Sequence, residues 1–173
     1  ETPRLLPAPS FYASADLGPL APGGIHTFTD GHCFDLGGRT VRAVHLPGHS
    51  AGNCAFLDSA SGILFSGDAV LASPTLIIDA FPAKEHADLQ TVRAFSSSLC
   101  AAMPGLAGVS ALCPGHAQQR LPPALLQAMC RCCREVLSAP AEQDERYGDV
   151  PGRTARIHRC GDAMLVYTPG RVG

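Results

Sequence analysis

Three short segments constrain the fold of this chain more than any other feature. They are residues 47–50 (PGHS), 66–68 (SGD) and 114–116 (PGH). In each of them, one potential metal ligand directly follows a turn-forming glycine, and each segment follows a run of apolar, strand-like residues. Loops at strand ends are held by a rigid sheet and still face the solvent. The pattern therefore predicts that His49, Asp68 and His116 converge on one metal site.

Composition limits the classes of function that fit this chain. With 173 residues, of which 46% are hydrophobic and 16% charged, it is the size of one globular domain with its own core. A formal net charge of -2 argues against a nucleic-acid binder, which needs a basic stripe. No apolar run approaches the roughly 20 residues of a membrane span, and no signal-peptide pattern is visible. We therefore expect neither nucleic acid nor a membrane as partner.

The chain has eight cysteines, and several of them lie inside apolar runs. Cysteine in such a setting behaves as a small hydrophobic residue, so we expect free thiols in a reducing, cytoplasmic environment. The cluster Cys130, Cys132 and Cys133 (CRCC) could indicate a structural zinc site or a redox pair. No second cysteine pair accompanies it at zinc-site spacing, and its helical setting favours core packing.

The order of predicted elements indicates a layered α/β protein. Residues 1–24 are rich in Pro and Gly and predict an irregular lead-in with a short helix at 12–17, and residues 25–173 form the domain proper. Strands are predicted at 25–28, 33–36, 39–46, 53–57, 63–65 and 109–113, helices at 85–103 and 122–137, and a final hairpin at 155–158 and 164–168. Residues 69–84, with a short apolar element, and residues 139–149 are predicted as loops. Because hairpins make antiparallel pairs, we expect a mixed sheet.

The three candidate ligands suit a pair of divalent cations. His nitrogens and Asp oxygens bind zinc at about 2.0–2.2 Å, and the two oxygens of one carboxylate can bridge two ions. Two such ions can hold one hydroxide, which is a nucleophile at neutral pH. Taken singly, each of the three residues could be a plain turn or loop residue; their common setting after strands favours metal ligation.

Residues 30–70, followed by LCPGHA at 112–117, resemble the metallo-β-lactamase-fold hydrolases. His49 resembles the family's first-metal ligand, Asp68 its bridging carboxylate and His116 its second-metal ligand. The resemblance implies an αββα sandwich and two zinc ions. It also implies that a metal-bound hydroxide attacks an ester, thioester or related bond of a small-molecule substrate, with Asp68 orienting that hydroxide. Asp at position 68, where the sulfur-ligated lactamases have Cys, favours the glyoxalase-II-like and general hydrolase branches.

The chain departs from the family pattern in one respect. Family members carry a His-x-His-x-Asp-His segment earlier in the chain, and none of the seven histidines here reproduces that spacing. The resemblance therefore implies the C-terminal portion of a hydrolase, with an incomplete metal site and no activity alone. A lone half of the sandwich would expose the sheet face that its other half covers, which predicts self-association.

Two alternatives keep the scaffold and change the function. One is a degenerate, non-catalytic half-domain that binds a partner through its exposed sheet face, and the other is a diiron redox relative.

The remaining histidines are assigned by their sequence context. His45 is expected to be a strand residue or a partner of a metal ligand, and His26, His32, His86 and His158 are expected to be surface groups. The apolar side chains within residues 69–84 could line a substrate pocket or belong to the core.

Overall fold

The computed structural model describes residues 27–79, 86–116, 118–150 and 153–173. Its strands are β1 (Cys33–Asp35), β2 (Thr40–His45), β3 (Cys54–Asp58), β4 (Ile63–Gly67), β5 (Thr75–Ile77), β6 (Ala111–Pro114), β7 (Glu145–Val150), β8 (Arg153–Cys160) and β9 (Ala163–Tyr167). The α-helices are α1 (Val92–Ala102) and α2 (Ala124–Ser138). The predicted lead-in, with its short helix at 12–17, lies outside the described residues.

Five strands form a mixed sheet in the order β1-β2-β3-β4-β6. The pairs from β1 to β4 are antiparallel, whereas β4 and β6 are parallel. Strands β2, β4 and β6 therefore run in the same direction, and their carboxyl ends meet at one edge of the sheet. This topology decides where the functional side chains lie.

The other four strands form a second sheet in the order β5-β9-β8-β7. Strand β5 is parallel to β9, and the remaining pairs are antiparallel. Strand β5 is the short apolar element expected within residues 69–84, and its Ile77 is fully buried. Leu71 is buried as well, so these two side chains belong to the interior, as one of the two interpretations of this segment held.

One hydrophobic core joins the two sheets and the two helices. Helix α2 packs against α1 and against strands β8 and β9. The core contains Leu64 and Leu112 from the five-stranded sheet, Leu165 from β9, and Leu99 and Met129 from the helices. All five side chains are fully buried.

The opposite face of the five-stranded sheet carries aromatic side chains. Phe56 on β3 pairs with Phe65 on β4, so both point away from the face that Leu57 and Leu64 present to the core. Phe65 is 46% exposed, and Phe28 packs against Phe34 and Phe56. Self-association through an exposed sheet face stays a prediction.

Helix α1 is shorter than the 85–103 that the apolar spacing predicts. Thr91 is its N-cap: the Thr91 side chain accepts a hydrogen bond from the backbone N–H of Ala94, and the helix begins at Val92. A separate 3-10 turn, Ala87–Leu89, precedes it. Helix α2 agrees with its predicted span to within two residues at each end.

Two predictions about strands are wrong. Residues 139–149 are not a continuous loop, because β7 begins at Glu145 and pairs with β8. Since β7 lies at the edge of its sheet, it has the polar and charged composition of an edge strand, which resembles that of a loop. The strand predicted at 25–28 is absent at Thr27 and Phe28, and its first two residues lie outside the described range.

All eight cysteines lie in the described part of the chain and are free thiols. Cys130, Cys132 and Cys133 are buried, which confirms their expected packing in the core. Burial raises the pKa of Cys130 and of Cys132 to about 12. These thiols therefore stay protonated and unreactive at neutral pH.

No helix in the described ranges is long and apolar enough to cross a membrane.

Candidate metal centre

The three predicted ligands lie at the edge where β2, β4 and β6 end. His49 follows β2 after a short turn, Asp68 follows β4 directly, and His116 follows β6 after Gly115. The backbone N–H of Gly115 donates to the carbonyl oxygen of Gly67 at 2.9 Å, which continues the parallel pairing of β4 and β6 to this point. Residues far apart in sequence are therefore brought together by strand direction alone.

Asp68 lies between the two imidazoles. Its Oδ2 is 3.7 Å from Nε2 of His49, and its Oδ1 is 3.2 Å from Nε2 of His116. The Asp68 side chain is 31% exposed, that of His49 35% and that of His116 70%. Each carboxylate oxygen thus faces a different imidazole, at an edge that solvent reaches.

A backbone contact fixes the orientation of His49. Its Nδ1 lies 2.8 Å from the carbonyl oxygen of Leu76 in β5, so Nδ1 carries the proton and donates it. Nε2 is then the ring nitrogen that faces Asp68. Second hydrogen bonds of this kind hold the tautomer and ring position of metal-binding histidines.

Two glycines are required by the close packing at this edge. Gly48 has φ +150°, and a Cβ there would lie 2.6 Å from Cβ of Phe95. A Cβ on Gly115 would lie 2.7 Å from Oδ1 of Asp68. Neither position can take a larger residue without displacing a neighbour that supports or forms the site.

The donor atoms are spaced as ligands of one ion are. Two atoms bound at about 2.0–2.2 Å in tetrahedral geometry stand about 3.4 Å apart. The His49–Asp68 and His116–Asp68 pairs, at 3.7 and 3.2 Å, are close to that separation. Each pair supplies two donors, and among the described residues no group of three or more His, Cys, Asp or Glu could hold a metal ion. On each side of Asp68, the side chains present therefore supply two donors to an ion, one imidazole nitrogen and one carboxylate oxygen. This is half of a tetrahedral donor set.

His45 is a strand residue, one of the two roles expected for it. It is the last residue of β2, its Nε2 lies 2.7 Å from the carbonyl oxygen of Ala51, and its backbone N–H donates to Asp30. The Ala51 contact holds the turn that contains His49. His45 therefore supports the turn that carries His49.

The expectation that His158 is an isolated surface group is wrong. Its Nδ1 lies 2.7 Å from Asp144, its Nε2 lies 2.9 Å from Glu135, and its side chain is only 18% exposed. Tyr167 donates to the other oxygen of Asp144 at 2.7 Å. These partners come from α2, from β9 and from the residue preceding β7, so no local sequence signal could have found them.

The charges of this second cluster stabilise one another. Burial by itself would lower the pKa of His158, but the hydrogen bonds to Asp144 and Glu135 outweigh that effect, and the pKa lies above its usual value. The hydrogen bond from His158 holds the pKa of Glu135 below its usual value. His158 is therefore a structural imidazolium between two carboxylates.

Comparison with known proteins identifies the family. The model of the metallo-beta-lactamase superfamily matches residues 3–116, more than half of the chain. The structure is also similar to a metallo-beta-lactamase family protein from Thermus thermophilus, with a TM-score of 0.50 and 22% identity. That similarity covers 64% of this chain and 36% of the other, and it shows the fold.

Relatives at the sequence level match over a short stretch. The lactamase-like protein nscB of Arthroderma gypseum is 48% identical over 48 residues, which is 28% of this chain and 15% of that protein. The atrochrysone carboxyl ACP thioesterase nsrC of Aspergillus novofumigatus is 46% identical over 50 residues, 29% of this chain and 16% of that protein. The matched stretch is therefore about a sixth of the length of these relatives.

Sequence motifs, fold and family model agree on a hydrolase-like scaffold, and the chain belongs to the metallo-beta-lactamase superfamily.

Proposed function

We propose that this chain forms the carboxyl-terminal side of the active site of a metal-dependent thioester hydrolase. The observation that carries the proposal is the position of Asp68, whose two oxygens face the Nε2 atoms of His49 and His116. One carboxylate placed between two imidazoles suits a bridge between two cations.

His49, Asp68 and His116 would hold the metal, with zinc as the ion that suits two imidazoles and a carboxylate best. When bound, the cations supply Lewis acidity and a nucleophilic hydroxide at neutral pH. Before any ion binds, the chain holds the donors in place. The carbonyl oxygen of Leu76 accepts a hydrogen bond from Nδ1 of His49, and Gly115 leaves room for Oδ1 of Asp68. Asp68 is also the acceptor placed to orient a nucleophile.

The relatives support a thioester as the substrate class. Several of them are named atrochrysone carboxyl ACP thioesterases, including proteins from Aspergillus novofumigatus and Cryptosporiopsis. The stretch they share with this chain is 50 residues long in both cases. We extend thioester hydrolysis to this chain on that basis and on the donor geometry.

Metal uptake tests the first half of the proposal. The purified chain is dialysed against zinc or ferrous iron, and bound metal is measured by elemental mass spectrometry. We expect zinc to be retained in preference to iron. Retention of iron alone would favour the diiron redox relative, and retention of neither metal would reject the site.

A glycine pair provides the matched control. In Gly115→Ala the new Cβ would displace Oδ1 of Asp68, so we expect zinc affinity to fall about tenfold with little change in stability. Gly108→Ala, where nothing lies within 4 Å of the added Cβ, should leave zinc affinity unchanged. Equal affinities for the two variants would contradict the assignment.

Hydrolysis tests the second half. The zinc-loaded chain is incubated with an acyl N-acetylcysteamine thioester and with the matching amide, and the released acid is measured chromatographically. Faster release from the thioester, abolished by chelation, supports the proposal. Equal release from the thioester and from the amide would reject the proposed reaction. Release from neither agrees with the half donor set of this chain and would favour the non-catalytic binding module.

A further inference from the structure

A groove along α2 is a separate feature of the surface. One cavity, of about 430 Å³, is lined at one end by Ala72 and Gln118. A second, of about 300 Å³, is lined at its far end by Ala128 and Arg131. Both cavities are lined by Pro122, Leu125, Gly161 and Asp162, so they form one continuous groove.

Chain connectivity places one end of the groove near the candidate metal centre, because two residues span at most about 7 Å and four at most about 14 Å. Gln118 is two residues beyond His116, and Ala72 is four residues beyond Asp68. From there the groove follows one face of α2, because Ala124, Ala128 and Arg131 recur at helical spacing. The helix carries it about 10 Å from Ala124 to Arg131. The small side chains of Ala124 and Ala128 leave room for the groove, and Arg131 lines its far end.

The charge distribution along the groove is uneven. Its wall contains Leu121, Leu125 and Met164, and the exposed Asp162 lies in the shared middle section. At the far end, Nε of Arg131 donates to Sγ of Cys160 at 2.7 Å. Within the described ranges, the terminal nitrogens of Arg131 make no hydrogen bond, so they can receive an anion.

A second arginine lines the groove nearer its beginning. Arg159 lies 3.9 Å from Glu145, and Arg131 has the carboxylate of Glu135 as a neighbour on α2, so neither charge is isolated. The two arginines differ in position: Arg159 lines the cavity nearer the candidate metal centre, and Arg131 lines the far cavity. Arg131 is therefore the guanidinium better placed to bind an anionic group at the far end of a long ligand.

We propose that this groove binds the phosphopantetheine arm of an acyl carrier protein, with the arm's phosphate on Arg131. The inference rests on the proposed thioester hydrolysis and names the part of the substrate that lies outside the reacting bond. The arm has a thioester at one end, two amides in the middle and a phosphate at the other end. In the groove, the thioester would lie toward the candidate metal centre, and the amide N–H groups would donate to the carboxylate of Asp162. The phosphate would bind the guanidinium of Arg131. An arginine–phosphate pair is a strong, charge-assisted contact.

Binding of the free arm tests the inference without any catalytic readout. Isothermal titration calorimetry compares 4'-phosphopantetheine with pantetheine, which lacks the phosphate. We expect the phosphate to improve the affinity of the native chain about tenfold. In Arg131→Gln that advantage should disappear, while the affinity for pantetheine stays the same.

Arg134→Gln is the matched control, because Arg134 is exposed on the same helix and does not line the groove. Its affinity for phosphopantetheine should equal that of the native chain. Equal losses in both arginine variants, or a native chain that does not distinguish the two probes, would overturn the inference.

A third titration addresses the source of the arm. If coenzyme A bound more tightly than phosphopantetheine, its nucleotide would be making contacts of its own, and the carrier protein would be the wrong source. The outcome for the reaction is separate. If the chain binds phosphopantetheine through Arg131 but hydrolyses no thioester, the groove assignment is supported and the proposed function is contradicted. If the chain hydrolyses thioesters but its affinity does not depend on the phosphate, the proposed function is supported and the groove assignment is contradicted.

Discussion

The candidate metal centre and the His158 cluster use the same residue types in opposite arrangements. In the candidate metal centre one carboxylate, Asp68, lies between two imidazoles, at 3.7 and 3.2 Å. In the cluster one imidazole, His158, lies between two carboxylates, at 2.7 and 2.9 Å. In the first arrangement each oxygen of one carboxylate faces a different imidazole, whereas in the second each ring nitrogen of one imidazole faces a different carboxylate.

The central side chains of the two groups also differ in exposure. His158 is 18% exposed, with Asp144 at 15% and Glu135 at 47%, whereas Asp68 is 31% exposed, with His49 at 35% and His116 at 70%. A polar network whose hydrogen bonds are satisfied makes the local structure more rigid. The two regions share residue types and differ in the arrangement of the side chains, which is the difference that the predictions below test.

Of the changes predicted here, Asp68→Asn should have the largest effect, and it should change metal affinity without changing stability. The amide cannot bridge two cations, so zinc affinity should fall about a hundredfold or more, with little change in the free energy of unfolding. Competition titration with a zinc chelator measures the first quantity and urea denaturation the second. Asp35→Asn, at an exposed position on β1, is the control. If Asp68→Asn left zinc affinity intact, the binding edge would have to lie elsewhere.

Gly48→Ala should lower the free energy of unfolding by about 2–3 kcal/mol. The new Cβ would lie 2.6 Å from Cβ of Phe95, in a backbone conformation that L residues avoid. Gly52→Ala, in the same turn with nothing within 4 Å, should be close to neutral. Chemical denaturation of the two variants side by side checks this, and equal stabilities would contradict it.

Asp144→Ala should destabilise the chain by about 2 kcal/mol. It leaves the hydroxyl of Tyr167 and one nitrogen of His158 without their acceptor, and Tyr167 is only 1% exposed. Unlike the change at Asp68, it should not affect zinc affinity. Asp162→Ala, which removes an exposed acid from the turn between β8 and β9, is the stability control. A loss of zinc binding in Asp144→Ala would show that the two regions are coupled.

His158→Gln should have the smallest effect, about 1 kcal/mol, and one that depends on pH. The folded pKa of His158 lies above the unfolded value of about 6.5, so the imidazolium stabilises the fold fully below that value and the effect is lost as pH rises through the folded pKa. The stability difference between the native chain and the variant should therefore be larger at pH 6 than at pH 8.5.

Denaturation at several pH values measures this difference. Arg134→Gln removes a charge from the same helix without removing an imidazole, so its difference from the native chain should not follow the same curve. A constant difference for His158→Gln across this range would contradict the proposed imidazolium.

The contrast between the two regions also explains what the sequence could predict. His49, Asp68 and His116 each follow a strand and a turn, which are local signals, and strand direction then brings them to one edge. Their role as metal ligands stays a prediction. The family resemblance seen in the motifs is confirmed by the family model.

What the sequence could not predict depends on distant partners. His158 owes its environment to Asp144 and Glu135, which lie 14 and 23 positions away on other elements. Strand β7 escaped prediction because an edge strand with charged side chains has the composition of a loop. The continuous groove along α2 also depends on tertiary packing, since the turn between β8 and β9 forms one of its walls.

The contact between Nδ1 of His49 and the carbonyl of Leu76 has a thermodynamic consequence. This hydrogen bond connects His49, which follows a strand of the five-stranded sheet, to β5, an edge strand of the four-stranded sheet. Any ion that binds the oriented imidazole must then also protect β5 against detachment, by an amount that grows with the logarithm of the ion's concentration. Hydrogen exchange at Thr75–Ile77 would report occupancy of a site that contains none of those three residues.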